Sequence, residues 1–304
     1  MDKLNKILTV IDPTLERDPI IARAKLLSKA SGAEVDFFIN SNNSLNEHSY
    51  IYAGVDADFF AVQRKLWTAH YQNQLKELQE EFAKEGLSCK TTFNEHHHLG
   101  EAIINHVRES KPDLVLKSTH HHSLLERSVI TNTDWRLIRK CPAPLWLAKP
   151  DTWNGEASLV TAVDPLHPKS AQATLDHLLI ATTQFLAKLL TQKACVFHSY
   201  FPFVSSMFPP ETDTSEHLAR IRREHEEKLD ELLEKHNIDK SNSHLTHGDL
   251  VPSLVNYLKS EDANLLVIGA LSRNFLERAI VGNTAEKILE DCPCDVLVLK
   301  PPRK

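Results

Sequence analysis

The sequence lacks any long hydrophobic run. No apolar stretch approaches the roughly 20 residues that a membrane-spanning helix needs, so no membrane association is expected. The chain begins Met1-Asp-Lys-Leu-Asn-Lys and leads directly into a strand-like segment, without the apolar region of a signal peptide. These absences make the cytoplasm the expected location.

An excess of positive charge is also missing. The 304 residues include 35 Lys and Arg against 41 Asp and Glu, which gives a formal net charge of -6. Proteins that bind nucleic acid without sequence preference are usually basic. No direct contact with nucleic acid is therefore expected.

Cysteine is scarce and shows no disulfide framework. There are five cysteines, an odd number, and Cys292 and Cys294 are too close in sequence for a usual disulfide or a Cys-x-x-Cys redox pair. Reduced thiols are expected, as in a cytoplasm. The chain also lacks a nucleophile and base at a recognised strand-to-helix elbow. No catalytic residue is predicted, and the protein is not expected to be an enzyme.

The most informative feature present is a long internal repeat. Val10-Ile-Asp-Pro13 matches Ala162-Val-Asp-Pro165, and the two aspartates are 152 residues apart (164 − 12 = 152). A Cys-Pro pair further along repeats at an offset of 151. A near-constant offset across the chain indicates a duplicated domain. We predict one domain over residues 1–150 and a second over residues 156–304.

Each half alternates strand-like apolar runs with amphipathic helical patterns. This alternation is typical of an α/β domain whose parallel sheet is covered by helices and binds ligands at the carboxyl ends of its strands. Asp18 is predicted to cap the first helix, and Gly32 to end it. Gly86 and Asn237 are 151 residues apart and are predicted to end corresponding helices, because both residue types tolerate a left-handed backbone.

The stretch Leu265–Glu290 carries the candidate ligand site. Its first four residues predict a buried strand that Gly269 ends, and Gly282-Asn283-Thr284 is predicted to open a helix. Glycine lets a backbone approach a ligand closely, and the unpaired N–H groups and dipole of a helix N-terminus favour a phosphate. From the glycines alone, an ordinary strand-to-helix connection is the alternative.

The same stretch resembles the ATP-binding motif of the universal stress protein family, Gly-x2-Gly-x9-Gly-Ser/Thr. Gly269 and Gly282 fit the motif, while Ser272 replaces the second glycine at unchanged spacing. The resemblance extends over nearly the whole chain and implies two tandem Rossmann-like domains. Each domain would hold a five-stranded parallel sheet in the order 3-2-1-4-5. The implied role is resistance to DNA-damaging, oxidative or starvation stress.

The resemblance also implies how a nucleotide would lie. Asp164, after the first strand of the second half, would face the adenosine part of ATP. The implied binding residues are Asp164, Gly269, Ser272, Arg273, Gly282, Asn283 and Thr284. In the first half, Lys117 stands where Gly269 stands and Thr131 where Gly282 stands. ATP is therefore expected in the second half only, and Asp12 is interpreted as a turn residue.

Two histidine clusters, His96–His98 and His120–His122, follow strands of the first half. Neutral imidazole is a common zinc ligand, but adjacent histidines cannot all point inward. Solvated loops are the preferred interpretation, and no metal ligand is predicted. A weak ATPase, a metal-dependent hydrolase and a carrier of an apolar or nucleotide-linked ligand in the first half remain as alternatives.

Each half ends on an apolar run, Leu145–Ala148 in the first and Val296–Leu299 in the second. In the implied strand order each run is a sheet edge, and an exposed apolar edge invites association. We predict that the halves pack through these strands as a pseudo-twofold dimer. Association of whole chains into a homodimer is left open.

Overall fold

The computed structural model describes residues 1–13, 15–41, 57–96, 98–122, 127–151, 153, 155, 157–166, 171–201, 214–270 and 283–301. The chain divides into two compact units that largely follow the two halves of the sequence. One unit contains residues 3–121 and 129–150. The other contains residues 151–304, together with 1–2 and 122–128.

Strands alternate with helices in the first half, as the apolar pattern predicts. Its elements are β1 (Lys6–Val10), α1 (Asp18–Ser31), β2 (Glu34–Asn40), α2 (Ala57–Lys84), β3 (Cys89–Asn94), α3 (Leu99–Ser110), β4 (Leu114–Ser118), β5 (His120–His122), β6 (Arg127–Val129), α4 (Asn132–Lys140) and β7 (Leu145–Ala148). The short strands β5 and β6 pair with each other.

The second half repeats this alternation. Its elements are β8 (Ser158–Ala162), α5 (Ala171–Leu190), β9 (Lys193–Tyr200), α6 (Ser215–Lys235), a 3-10 turn (Lys240–Asn242), β10 (Ser243–His247), α7 (Leu250–Ser260), β11 (Leu265–Gly269), α8 (Asn283–Asp291) and β12 (Asp295–Leu299). None of the helices in the described part of the chain is long and apolar enough to cross a membrane.

Both halves form a parallel sheet with the same order of strands. The first half pairs as β3-β2-β1-β4-β7 and the second as β10-β9-β8-β11-β12. When only the five strands of each parallel sheet are numbered along the chain, this is the order 3-2-1-4-5 that the resemblance implies. The packing of the two halves through their last strands stays a prediction.

The central strands are buried on both faces, which explains their nearly continuous apolar sequences. In β1, Ile7, Leu8 and Val10 are fully buried, and Thr9 is buried among them. Helix α1 covers this sheet with buried apolar side chains such as Leu27. The first strand of each half therefore lies at the centre of its sheet, and the residue that follows it reaches the carboxyl edge.

The predicted helix exits at Gly86 and Asn237 are confirmed. Gly86 has φ 70 and Asn237 has φ 53, both in the left-handed region. The Gly86 N–H donates to the Ala83 carbonyl at 3.0 Å, and the Asn237 N–H donates to the Glu234 carbonyl at 3.1 Å. These four residues match at the offset of 151, so the duplication preserves the turn together with its hydrogen bond.

At the start of α1 the prediction is wrong by one residue. The cap position is Arg17, whose backbone is already helical at φ -83 and ψ -24, so Asp18 is the first residue of the helix. Asp18 lies in the first turn, where a carboxylate interacts favourably with the helix dipole. At the other end Gly32 has φ 73 and its N–H donates to the Ser28 carbonyl, which confirms the predicted exit.

Candidate functional site

Asp164 and Gly269 lie at the carboxyl edge of the second sheet. Asp164 follows β8 by two residues, and Gly269 is the last residue of β11, which pairs with β8. Helix α8 begins at Asn283, as predicted, and Thr284 is exposed in its first turn. The other implied binding residues lie outside the described residues, so their contribution stays a prediction: Ser272, Arg273 and Gly282.

Gly269 has a packing reason to be glycine. A Cβ atom at this position would lie 2.2 Å from Cδ2 and 3.0 Å from Cγ of Leu175 on α5. Leu175 is itself buried. With Leu175 in this position, a side chain at residue 269 has no space, whether or not a ligand binds there.

A second carboxylate, Asp176 on α5, lies against Asp164. Asp176 is 5% exposed, and its Oδ1 accepts a hydrogen bond from the Asp164 backbone N–H at 3.5 Å. Burial raises the pKa of Asp176 to about 7; the hydrogen bond opposes this shift and the nearby Asp164 charge adds to it. Asp176 therefore exchanges a proton near neutral pH beside the expected nucleotide residue. Sequence reasoning missed it, although an acid within the apolar face of a helix was an available signal.

Two histidines occupy the same edge, at β9 and α6. His198 Nδ1 lies 3.0 Å from the Val163 carbonyl oxygen, so this nitrogen carries the proton. Its Nε2 then accepts from His225 Nδ1 at 2.8 Å, and the His225 ring stacks on Tyr200 with centroids 4.5 Å apart. Burial is the largest influence on both rings and lowers the pKa of His198 and of His225. The sequence did not predict this histidine cluster, because His198 and His225 are 27 positions apart and only folding brings them together.

The equivalent edge of the first half is closed by an ion pair. Lys117, at the position of Gly269, places Nζ 2.9 Å from Asp134 Oδ1, and the two side chains are 1% and 0% exposed. Asp134 Oδ2 also accepts hydrogen bonds from the N–H and hydroxyl of Thr131, each at 2.8 Å. The start of α4 is thus occupied by a carboxylate of the chain itself. A phosphate could bind there only by displacing Asp134.

The histidine clusters of the first half are described in part. His96 Nδ1 accepts from the His98 N–H at 3.1 Å, and the two rings lie 6.4 Å apart. His97 lies outside the described residues, and His120–His122 form β5. Within the part of the chain that the structure describes, no group of three or more His, Cys, Asp or Glu residues is placed to hold a metal ion.

Comparisons with known sequences match both halves to one family. The model of the universal stress protein family matches residues 3–149 and again residues 157–300. Universal stress protein E of Photorhabdus laumondii is 28% identical over 306 residues, which covers 99% of this chain and 96% of that protein. Universal stress protein E of Escherichia coli K12 is 28% identical over 307 residues, covering 99% of this chain and 95% of its own length.

Solved structures resemble the chain at lower sequence identity. A functionally unknown protein from Pseudomonas aeruginosa PAO1 has a TM-score of 0.77 at 21% identity, covering 98% of this chain and 93% of that chain. A universal stress protein from Archaeoglobus fulgidus has a TM-score of 0.66 at 15% identity, covering 97% and 98%. At these identities the similarity shows the fold alone.

Proposed function

Because the chain belongs to the universal stress protein family, with one family domain in each half, we propose that it is a nucleotide-binding stress protein and not an enzyme. The family and the relatives named universal stress protein E support a stress-response role. The finer proposal is that it acts in the cytoplasm, in resistance to DNA-damaging, oxidative or starvation stress. ATP is the proposed ligand, and the second domain is its proposed site.

The observation that carries this proposal is the difference between the two matched edges. The first half fills the end of its fourth strand with the buried pair of Lys117 and Asp134. The second half has Gly269 at that point, with Asp164 at the end of the neighbouring strand. A negatively charged phosphate would meet a competing carboxylate in the first half, whereas Gly269 adds neither a charge nor a side chain of its own at the matched position of the second half.

Calorimetric titration of the full chain with ATP tests the site, using Asp164→Ala and Asp12→Ala as a matched pair. The two aspartates occupy equivalent positions of the repeat. We expect one ATP per chain, a loss of about tenfold in affinity for Asp164→Ala, equivalent to about 1.4 kcal/mol, and no change for Asp12→Ala. Circular dichroism at the titration temperature checks that each variant is folded.

Several results would contradict the nucleotide proposal. These are a failure of ATP to bind the unmodified chain, the binding of two ATP molecules per chain, and a loss of affinity for Asp12→Ala as large as that for Asp164→Ala. The same samples test the absence of turnover. We expect ATP to be recovered intact after prolonged incubation, and continuous release of inorganic phosphate would favour the weak ATPase instead.

A further inference from the structure

Helix α6 and the residue that follows it, His236, pack on the second half through a stripe that begins and ends with histidine. His225, Leu229, Leu232, Leu233 and His236 follow the spacing i, i+4, i+7, i+8, i+11, which places them on one helical face. The three leucines are buried and join the apolar core of this half. Two of the five inward positions are therefore titratable, and they bracket the apolar contact.

Each of these histidines meets a second histidine. His225 Nδ1 lies 2.8 Å from His198 Nε2 on β9. His236 Nε2 lies 2.7 Å from His177 Nδ1 on α5, with the rings tilted by 34°. In an N–H···N hydrogen bond one nitrogen must donate and the other must accept. A pair with both rings protonated has two donors facing each other and loses the bond.

The surroundings of His198, His225 and His236 favour the neutral forms of these rings. Burial is the largest cause that lowers the pKa of His236, and the charges of His177 and Lys235 act in the same direction. For His225, burial outweighs the opposing influence of Asp164 and Glu224.

His198 is governed by the same balance. Burial and the neighbouring His225 lower its pKa, while its bond to the Val163 carbonyl and the charge of Asp164 raise it. Asp176 adjoins His177 on α5 and titrates near pH 7. These charged and titratable groups bear on the two pairs.

The first half holds its equivalent helix, α2, by different chemistry. Gln74 and Glu85 stand at the positions of His225 and His236 (225 − 74 = 151; 236 − 85 = 151). Glu85 forms ion pairs with Lys25 on α1 and with Lys29, 2.6 Å away. Hydrogen bonds from Lys25 and Lys29 lower the pKa of Glu85 to about 2. This contact keeps its charges throughout the range from about pH 5 to about pH 8.

We propose that the second half contains a proton-operated latch: in acid, protonation of both rings in the His198–His225 and His177–His236 pairs breaks the two hydrogen bonds and releases α6, while α2 stays in place. The latch does not depend on whether the second half binds a nucleotide. Only the second domain would therefore release a helix in acid.

The sign of the effect follows from proton linkage. A histidine whose pKa is lowered by folding stabilises the folded state fully above its ordinary value near 6.5, and this contribution is lost as the pH falls through that value towards the folded pKa. Asp176 acts in the opposite sense, because its pKa rises from 3.8 to about 7 and the folded half binds its proton in between. The latch must therefore be measured on α6 itself and not through global stability.

Hydrogen exchange of the full chain, followed by mass spectrometry and corrected for the intrinsic effect of pH, gives this local measurement. Between about pH 7.5 and about pH 5.5, we expect residues 225–235 of α6 to lose about tenfold or more in protection, since local opening sets exchange. Residues 74–84 of α2 are the internal control and should change by less than about twofold.

The variant His225→Gln/His236→Gln removes one histidine ring from each of the two pairs. Glutamine stands at the His225 position in the first half and keeps an N–H donor, but it does not titrate near neutral pH. We expect protection of α6 in this variant to be independent of pH. A second variant, Gln184→Lys/His236→Glu, builds an ion pair of the first-half type, because Gln184 already donates to the His236 carbonyl at 2.9 Å. It should also hold α6 at about pH 5.5.

Two results would overturn the latch. One is unchanged protection of α6 in the unmodified chain at about pH 5.5, and the other is a loss that persists in the His225→Gln/His236→Gln variant. If that variant does not fold, proton NMR titration of the unmodified chain decides the question. Titration of the His198, His225 and His236 rings at or above about pH 6.5 would contradict the proposal, and titration below that value would support it.

Discussion

Lys117 and Gly269 occupy equivalent positions near the ends of the fourth strands of two sheets that have the same strand order. Lys117 is buried with Asp134 and brings both charges of an ion pair into the first half. Gly269 has no side chain, and Leu175 packs in the space that a side chain of residue 269 would occupy. The backbone and its turns were thus retained after duplication, while the residues at the carboxyl edge diverged. In the first domain the Lys117–Asp134 ion pair fills this edge of the sheet. The second domain keeps the residue types that are expected of a ligand site.

The same contrast recurs between helices α2 and α6. Glu85 is held by lysines, and the equivalent His236 is held by another histidine. The charges of a Lys–Glu ion pair do not change with pH near neutrality, whereas the charge of a histidine pair does. The comparison leads to three further predictions, which begin with the largest expected effect.

Breaking the ion pair should be the most damaging change. Lys117→Met leaves Asp134 as an unpaired buried charge, and we expect the free energy of unfolding to fall by about 3–5 kcal/mol. Urea unfolding of the full chain, followed by tryptophan fluorescence, measures the loss. The variant Lys117→Met/Asp134→Asn removes both charges and keeps a polar group at the start of α4. It should be clearly more stable than Lys117→Met, and additive losses would show that the pair is not coupled.

Adding a methyl group to the second half should have an intermediate effect. Gly269→Ala places a Cβ atom against Leu175, and overpacking of a core costs about 1–3 kcal/mol. Thermal and urea unfolding would measure this cost. Leu175→Val on the same background gives the methyl group room, so the double variant should lose less than the sum of the single losses. If the Gly269→Ala chain is as stable as the original, the Leu175 side chain or α5 moves aside without a measurable loss of stability.

Alanine substitutions at the two helix exits should lower the free energy of unfolding least, and by equal amounts. Gly86 and Asn237 both have a left-handed backbone, which costs a residue with an ordinary side chain about 1–2 kcal/mol. Gly86→Ala and Asn237→Ala should each lower the free energy of unfolding by about 1 kcal/mol, as measured in urea. Asn237→Gly serves as the control and should be nearly neutral. Unequal losses from the two alanine variants would show that the turns are not equivalent.

Much of the fold could be predicted because its signals are local. The repeat is visible as matching letters, and strand and helix patterns depend on the spacing of apolar residues. Gly86 and Asn237 were predictable because left-handed φ is a property of one residue type in one turn. The start of α1 was misplaced by one residue, since Arg17 adopts a helical backbone without any side-chain signal of capping.

The candidate site was less predictable. Asp164 and Gly269 follow strands, so their place at the carboxyl edge could be inferred from the fold class. The position of Asp176 in an apolar helix face was visible in the sequence, but its raised pKa was not, because that depends on burial against Asp164, 12 residues away. The packing constraint on Gly269 could not be predicted either, because Leu175 contacts it from a different element, α5.

By itself, the sequence determined the duplication, the α/β class and the loss of the motif glycines in the first half. Each of these depends on residue type and spacing along the chain. Only the tertiary structure decided which groups share a proton or a charge. Lys117 meets Asp134 across 17 positions (134 − 117 = 17), and the histidine pairs join residues 27 and 59 positions apart. Their ionisation depends on burial and on the partners that folding brings near, neither of which is encoded in any one stretch of the chain.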